Sequence, residues 1–392
     1  MTIRSVFRPE RRRRRSDRSM VSSLSRAACF TLVPMIAALA NCGGRNARFA
    51  WPDPASVEDV RILSVDSIGA EYGDSLYVFG SIADFDIAPN GNILVLDNIY
   101  CHIRVFSPQG EFIEQIGRYG SGPGEMLGPA FLVCLDNGNI CVWDNSGWIR
   151  YAENGDYICT DPILGARPMQ MVSSGSGSIV GIRSALGIHR QQLVVGKSIA
   201  CWREDTPDSL DVVFFEAEHE LRQSHFAEDL VGTDLFPMLF AAGNGRVYIA
   251  PDPQEEPLVL VFSADGTPLD TLFLPYSEVH KTTQEIEEEK DYIESFFQRT
   301  TQTMQVEWEP HTFRPMIKSL GIGEGGNLWI QRGSELTPTF DVLAPDGQLL
   351  FTAVLPDRLD ASDWRFKVST GGILAVPMDP PSDLVLYLID QG

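Results

Sequence analysis

The sequence predicts an all-β fold, a six-bladed β-propeller built from four-stranded antiparallel blades. Two copies of one pattern lie within residues 85–158, and Gly91 and Asp97 of the first copy recur 47 residues later as Gly138 and Asp144. Each copy contains four short apolar runs separated by turns that contain glycine. A fixed period of this length with four strands per unit is the sequence signature of a propeller blade.

The turn inside each copy is predicted from an Asn-Gly pair. Asn90-Gly91 and Asn137-Gly138 each lie between two strand-like runs. A two-residue hairpin needs positive φ at both central positions, which Asn and Gly adopt at the lowest cost. The runs that follow, residues 93–96 and 140–143, are apolar throughout. We therefore expect each to be a strand buried on both faces in the middle of a sheet.

Two charged residues recur in both copies. Asp97 and Asp144 end the second run, and we expect their carboxylates to accept hydrogen bonds from turn amides, because they recur once per unit. Arg104 and Arg150 fall in the third run of each copy. Their repetition favours a structural role, in which each arginine pairs with the aspartate of its own unit.

The repeated pattern resembles the NHL-type repeat of six-bladed β-propellers. The segment 120–125, Gly-Ser-Gly-Pro-Gly-Glu, resembles the glycine-rich linker that precedes many such repeats. The resemblance extends over residues 82–158 and implies the fold. It leaves the function open, because this fold is found in enzymes and in pure binding scaffolds.

Weaker copies of the pattern predict the remaining blades. Blade three is expected within residues 169–215, blade four within 244–274, blade five within 317–355 and blade six within 364–389. Blade six lacks a fourth strand, and residues 60–65 read as a lone strand before the first blade. We expect this N-terminal strand to close the ring, because it removes the edge that a three-stranded blade would leave. The predicted propeller domain spans residues 56–392.

One segment, residues 277–304, departs from the β pattern. It is rich in Glu, Lys and Gln, lacks Gly and Pro, and begins at a possible capping residue, Ser277. Its apolar residues form a single helical stripe made of Val279, Ile286, Ile293 and Phe297. We predict one amphipathic helix inserted between blades four and five. It is either a lid over the central pocket or, as we favour, a long connection that buries its stripe.

The N-terminus has the pattern of a signal peptide. A basic block at residues 11–15 precedes an apolar run at 27–40, which is too short to span a bilayer but fits the apolar region of a secretory signal. We assign residues 1–41 to this signal. Met20 is an alternative start that leaves a signal of ordinary length.

A cysteine follows the apolar run directly. Leu39-Ala40-Asn41-Cys42 resembles the lipobox of bacterial lipoproteins, although Asn41 stands where that family usually has a smaller residue. The resemblance implies that Cys42 is the lipidated first residue of the mature chain, with residues 42–55 as a tether. The alternative is an ordinary cleaved signal with an incidental Cys42. Both imply export, and the first implies a lipoprotein of the periplasm or cell envelope of a bacterium.

The charge of the chain excludes some partners. The full sequence has a net charge of −22. Without residues 1–41 it has 22 basic and 51 acidic residues, a net charge of −29. So acidic a surface argues against nucleic acid and against anionic lipid as partners. We expect a monomer that contacts the membrane only through its N-terminal lipid and binds an envelope protein or a carbohydrate.

The remaining cysteines leave two alternatives. Five follow Cys42, and an odd number cannot form a complete disulfide framework. If Asn137-Gly138 is a two-residue turn, Cys134 and Cys141 lie directly opposite each other on adjacent strands. They then form either a cross-strand disulfide or a pair of reduced core cysteines.

No local motif assigns a catalytic, cofactor-binding or metal-binding residue. The six histidines show no zinc-type spacing, and no Gly-x-Ser-x-Gly elbow occurs. The sequence therefore favours a binding or scaffolding module without a cofactor. The alternative is a metal-dependent hydrolase or lyase resembling lactonase-type propellers. It requires carboxylate, Asn or His side chains from different blades to hold axial calcium or zinc.

Overall fold

A computed structural model describes residues 59–61, 63–70, 72–162, 167–175, 177–189, 192–221, 238–301, 310–355, 364–369, 372–377 and 384–388. The chain divides into a unit of residues 1–47 and a second of residues 48–392, and every described residue belongs to the second. The predicted signal (1–41), the tether (42–55) and Cys42 lie outside the described residues. Among the described residues, no helix is long and apolar enough to cross a bilayer.

The first half of the described chain forms two entry strands and three blades. The entry strands are β1 (Asp59–Arg61) and β2 (Leu63–Ile68). Blade one consists of β3 (Ile82–Ile87), β4 (Ile93–Asp97), β5 (His102–Phe106) and β6 (Phe112–Ile116). Blade two consists of β7 (Pro129–Cys134), β8 (Ile140–Asp144), β9 (Gly147–Tyr151) and β10 (Tyr157–Asp161). Blade three consists of the longer β11 (Arg167–Gly175), β12 (Ser178–His189), β13 (Gln192–Arg203) and β14 (Leu210–Leu221).

The second half forms three further blades. Blade four consists of β15 (Leu239–Gly243), β16 (Arg246–Ala250), β17 (Leu258–Ser263) and β18 (Pro268–Phe273). Blade five consists of β19 (Ile317–Ile322), a 3₁₀ turn (Glu324–Gly326), β20 (Leu328–Arg332), β21 (Thr339–Leu343) and β22 (Leu349–Val354). Blade six consists of β23 (Trp364–Ser369), β24 (Gly372–Pro377) and β25 (Leu384–Leu388). The described strands thus form six sheets, which confirms the predicted architecture.

An N-terminal strand closes the ring, as predicted. β2 pairs antiparallel with β25 and becomes the outer strand of blade six. The predicted lone strand at 60–65 is nevertheless wrong as a single element. Its first part, β1, instead pairs parallel with β22 and adds a fifth strand to blade five. The chain therefore crosses from one blade to the next before the first complete blade begins.

The predicted two-residue turns are wrong at Asn90-Gly91 and Asn137-Gly138. The N–H of Gly91 donates to the carbonyl of Ala88, and the N–H of Ala88 donates to the carbonyl of Asn92. The loop between these two residues therefore holds three residues, of which only the glycine has positive φ. The amide oxygen of Asn90 accepts from the N–H of Asn92, and this local hydrogen bond stabilises the wider turn. Asn244-Gly245 of blade four does form a two-residue turn, with φ of 51° and 71°.

The wider turn also shifts the two candidate disulfide cysteines. Cys134 is in register with Ile140, and Cys141 is in register with Val133. Because successive residues of a strand face opposite sides, the two thiols lie in different core clusters on opposite faces of blade two. Both are buried free thiols. The prediction that Cys134 and Cys141 face each other is therefore wrong, and the structure has the alternative of two reduced core cysteines. Burial raises the pKa of the Cys134 thiol to about 12.

The inserted helix is present, but it begins later than predicted. α1 spans Thr283–Thr301. Residues 279–281 are extended instead, because their backbones bond to residues 312–314. Ser277 is therefore not the cap. Thr282 caps the helix: its hydroxyl accepts from the N–H of Glu285 at 3.2 Å, and its own N–H donates to the Glu285 carboxylate at 2.8 Å.

The predicted apolar stripe is only partly visible. Val279 precedes the helix, and Ile286 is half-buried. The side chains of Ile293 and Phe297 and the predicted end of the helix near residue 304 lie outside what the structure describes. An ion pair of 2.7 Å between Glu285 and Arg314 fixes the first turn to the segment that leads into blade five.

The cores lie between neighbouring blades. The second strands are buried on both faces, as predicted: every residue of β4 and all but one residue of β8 are buried. The largest fully buried side chains include Trp148, Trp202, Phe85, Phe106 and Phe340. Each such side chain contributes on the order of 2 kcal/mol to folding through the apolar surface that it removes from water.

Candidate functional site

A cavity of about 890 Å³ lies among the innermost strands of the six blades. These strands are β3, β7, β11, β15, β19 and β23, and all six contribute residues to the cavity wall. The described residues of α1 are not part of this wall, which favours the long connection over the lid. The volume of the cavity falls in the range of binding sites for small molecules.

A β-bulge recurs in the innermost strands and shapes the wall. Blades one, two, three and five each carry one extra residue at the same register position. These extra residues are Ala83, Ala130, Met169 and Lys318. A bulge bends its strand and re-aims the side chains that follow. The bulges thus lie directly before the residues that line the cavity.

Two layers of equivalent positions follow from the register. The first layer consists of the innermost-strand residues that pair with Leu96, Trp143, Ile182, Ala250, Gln331 and Val376 of the second strands: Asp84, Phe131, Gln170, Leu239, Ser319 and Arg365. All six line the cavity. The second layer lies two residues further along: Asp86, Val133, Val172, Ala241, Gly321 and Lys367. Charged residues occupy both layers only in blades six and one.

The second layer holds an ion pair between the last blade and the first. Lys367 Nζ lies 3.2 Å from Asp86 Oδ1 and donates to the carbonyl of Phe85 at 2.8 Å. The other oxygen of Asp86 accepts from the backbone N–H of Cys134 in blade two at 2.9 Å. Burial lowers the pKa of Lys367, but the carboxylates of Asp86 and Asp84 outweigh burial and raise it above its ordinary value. Lys367 is therefore charged at neutral pH.

In the first layer, too, charged side chains of one blade bind backbone groups of the next. Arg365 donates to the carbonyl of Ala83 at 3.0 Å, and its guanidinium lies over the Phe85 ring. Asp84 accepts from the N–H of Leu132 in the next blade at 2.9 Å. An innermost strand is a sheet edge whose backbone groups need partners outside its own sheet. Here charged side chains of one blade supply those partners to the next.

The described residues of the cavity wall carry no net formal charge. Its acidic residues are Asp84, Asp86 and Asp136, and its basic residues are Lys318, Arg365 and Lys367. The carboxylate of Asp136 accepts a hydrogen bond from the Ser173 hydroxyl at 2.8 Å. Within the described part of the chain, no three His, Cys, Asp or Glu side chains converge in an arrangement that could hold a metal.

One polar side chain in the wall is incompletely hydrogen-bonded. Gln331 is only 1% exposed, and its amide oxygen accepts from the Ser319 hydroxyl at 2.8 Å. Its amide nitrogen has no acceptor among the described residues. Two half-buried aromatic side chains, Phe131 and Trp364, line the same cavity. The wall therefore combines aromatic surface, neutral polar groups and internally paired charges.

The aspartates that recur in the sequence lie outside the cavity and have the predicted structural role. Asp97 accepts from the N–H groups of Gly80, Ile99 and Tyr100 at 2.7 to 2.9 Å. Asp144 accepts in the same way from Leu127, Gly128 and Ser146. Each carboxylate thus ties the end of its second strand to the loops around it.

The predicted pairing of Arg104 and Arg150 with these aspartates is wrong. The connection before the third strand has four residues in blade one and two in blade two, so the arginines occupy non-equivalent positions on opposite blade faces. Arg104 instead donates to the carbonyl of Val78 at 2.7 Å, and Arg150 pairs with Asp161 at 3.1 Å.

Comparison with a family model agrees with this architecture. Residues 77–160, which span blades one and two, match the family model DUF5128, described as a 6-bladed beta-propeller. A member of the duf4221 family from Bacteroides vulgatus is 10% identical, with 85% of this chain and 99% of that chain covered and a TM-score of 0.47.

Two further solved structures are similar at lower scores. Regucalcin, a calcium-binding protein from Agrobacterium tumefaciens, is 8% identical, with 84% of this chain and 94% of that chain covered and a TM-score of 0.43. Virginiamycin B lyase from Staphylococcus aureus is 10% identical, with 83% and 88% covered and a TM-score of 0.38. No curated protein matches this chain.

Proposed function

We propose that this protein is an exported, lipid-anchored propeller with NHL-like repeats that acts as a binding module at the bacterial cell envelope. Its ligand is an envelope protein or a carbohydrate, and the axial cavity is its binding site. One observation carries the proposal. The cavity is lined by all six blades and combines aromatic surface with a few neutral polar groups, which is the usual composition of a ligand site.

The charged groups of the wall support binding rather than catalysis. Lys367 and Asp86 pair with each other, and Asp84 and Arg365 hydrogen-bond to backbone groups of neighbouring strands. A general acid or base must reach a substrate proton, whereas these groups are held by the fold itself. Their role is to give the cavity a fixed shape.

The anchor places this cavity near a membrane. Lipidated Cys42 would be joined to β1 by residues 43–58, which span at most about 55 Å when fully extended. The acidic mature chain is repelled by anionic lipid, so attachment depends on the acyl chains.

Fractionation of a bacterial host that expresses the full chain tests the anchor. The unaltered chain should partition with membranes, and Cys42→Ser should move to the soluble envelope fraction or remain as an unprocessed precursor. Cys159→Ser, at a half-buried cysteine of blade two, is the matched control and should stay with the membranes. Equal partitioning of the unaltered chain and Cys42→Ser would contradict lipidation.

The binding role is tested on the full chain purified in detergent without chelator. A metal-free protein that retains a glycan or crosslinks to an envelope protein supports the proposal. Stoichiometric calcium or zinc together with turnover of lactones would instead support the hydrolase or lyase alternative.

A further inference from the structure

The position of Gln331 is unusual among the six blades. It pairs with the first-layer residue of its blade, and the other blades have the apolar residues Leu96, Trp143, Ile182, Ala250 and Val376 at this position. A buried amide with an unfilled hydrogen-bond site costs stability, whereas an apolar side chain there costs none. Blade five therefore carries a polar group that the fold alone does not require.

The chemistry of this amide indicates the class of its partner. Ser319 donates to the oxygen of this amide, and the amide nitrogen, in a residue that lines the cavity, has no acceptor among the described residues. If the amide were turned by 180°, the oxygen would lack a donor instead. A hydroxyl group both donates and accepts, so a hydroxylated ligand satisfies Gln331 in either orientation.

The electrostatics of the wall argue against a charged ligand. The three carboxylates and three cationic groups among its described residues cancel, although the whole chain has a net charge of −22. The pair of Lys367 and Asp86 is internally satisfied, so a charged ligand would find no free counter-charge there to offset its lost hydration. A neutral polar ligand avoids that cost.

The aromatic residues complete the site. Trp364 and Phe131 are half-buried, line the same cavity and also pack against the apolar clusters of the blades. A pyranose ring has an apolar C–H face that packs on an aromatic surface, and hydroxyl groups around its edge. Aromatic rings supply large contact area, and the tryptophan adds a polar N–H at its margin.

We propose that the axial cavity binds a neutral carbohydrate of one or two sugar units, with Gln331 orienting a hydroxyl group and the aromatic rings packing against the sugar face. This inference rests on the proposed binding function and narrows its two ligand classes to carbohydrate.

The test measures binding to the full chain in detergent by saturation-transfer NMR and calorimetry. The probes are cellobiose, maltose and N,N′-diacetylchitobiose, beside a digalacturonate and the dipeptide Ala-Ala. At least one neutral disaccharide should bind, and Gln331→Leu should weaken it by about ten- to a hundredfold, the effect of losing a buried hydrogen bond. Gln109→Leu, at an exposed turn, should leave binding unchanged.

The outcomes separate this inference from the proposed function. Gln331→Leu restores the apolar residue type of the other blades, so we expect it to fold and to report on binding alone. Disaccharide binding that Gln331→Leu does not alter overturns the inference. If only the digalacturonate or the dipeptide binds, and Gln331→Leu weakens that binding, the cavity is a binding site but its ligand is not a neutral carbohydrate. If no probe binds the unaltered protein, the inference falls, and the binding function depends on the envelope crosslinks alone.

Discussion

Two arcs of the propeller fill the gaps between their innermost strands differently. In blades six and one, both layers are charged, and Arg365, Lys367, Asp84 and Asp86 bind the backbone of the next blade. In blades two to five, the same positions hold uncharged residues: Phe131, Val133, Gln170, Val172, Leu239, Ala241, Ser319 and Gly321. The charged arc contains the junction between blade six and blade one, which the chain also joins directly from β2 to β3. Ion pairs and directed hydrogen bonds link the innermost strands of this arc to their neighbours, whereas the equivalent positions in blades two to five are uncharged.

The largest loss of stability should follow from Lys367→Met in the charged arc. Asp86 would then be a buried carboxylate without a counter-charge, which costs about 3 kcal/mol of unfolding free energy. The equivalent position in blade three is Val172, where Val172→Ala should cost only about 1 kcal/mol of lost apolar burial. Urea unfolding of both variants measures the difference. Equal losses would show that the two arcs depend on the same kind of contact.

A double variant sharpens this result. Lys367→Met with Asp86→Asn removes both charges and keeps an oxygen that can accept from the Cys134 N–H. We expect it to be more stable than Lys367→Met alone by about 2 kcal/mol, because no unpaired buried charge remains. Strictly additive losses in the same urea titrations would mean that the two side chains act independently.

The pH dependence of stability provides a third test. The pKa of Lys367 is raised in the folded state, so its contribution is complete below about pH 10.4, the ordinary lysine value, and is lost as pH rises through the folded value. The stability difference between the unaltered protein and Lys367→Met should therefore shrink in alkaline solution. Measurement at intervals from neutral to alkaline pH checks this, and Val172→Ala should show no such trend.

The smallest change in stability is expected from Gln331→Leu in the uncharged arc. Removal of an incompletely bonded amide should leave stability unchanged or raise it by up to about 1 kcal/mol. A thermal-unfolding midpoint at or above that of the unaltered chain is the expected result. A clear loss would mean that the hydrogen bond between Ser319 and Gln331 is structural.

The sequence predicted the blades well because their signals are local. The apolar runs of β4 and β8 and the missing strand of blade six can be read without knowledge of the fold, and the closing role of β2 follows from them. Turn geometry was harder, because a local hydrogen bond that Asn137 accepts from the N–H of Asn139 favours a three-residue loop over a two-residue one. The extra loop residue shifts the register so that Cys134 and Cys141 do not face each other.

The cavity could not be predicted because it depends on bulges. One extra residue in an innermost strand does not disturb the apolar pattern, yet it determines which side chains line the wall. A signal was nevertheless present. Asp84-x-Asp86 and Arg365-x-Lys367 place charges at alternate positions of first strands that are otherwise apolar, and opposite charges at matching positions indicate neighbours. Gln331 gave a weaker signal, as a polar residue within an apolar run.

The path of the entry strands has a mechanical consequence. A pull on the N-terminus would load β1 on blade five first and then β2 on blade six, because the chain passes through both before it reaches blade one. If β2 detached, blade six would be reduced to three strands while the innermost strands and the other blades kept their own pairing. Tension on the N-terminus would therefore loosen the outer edges of blades five and six before it unravelled any complete blade.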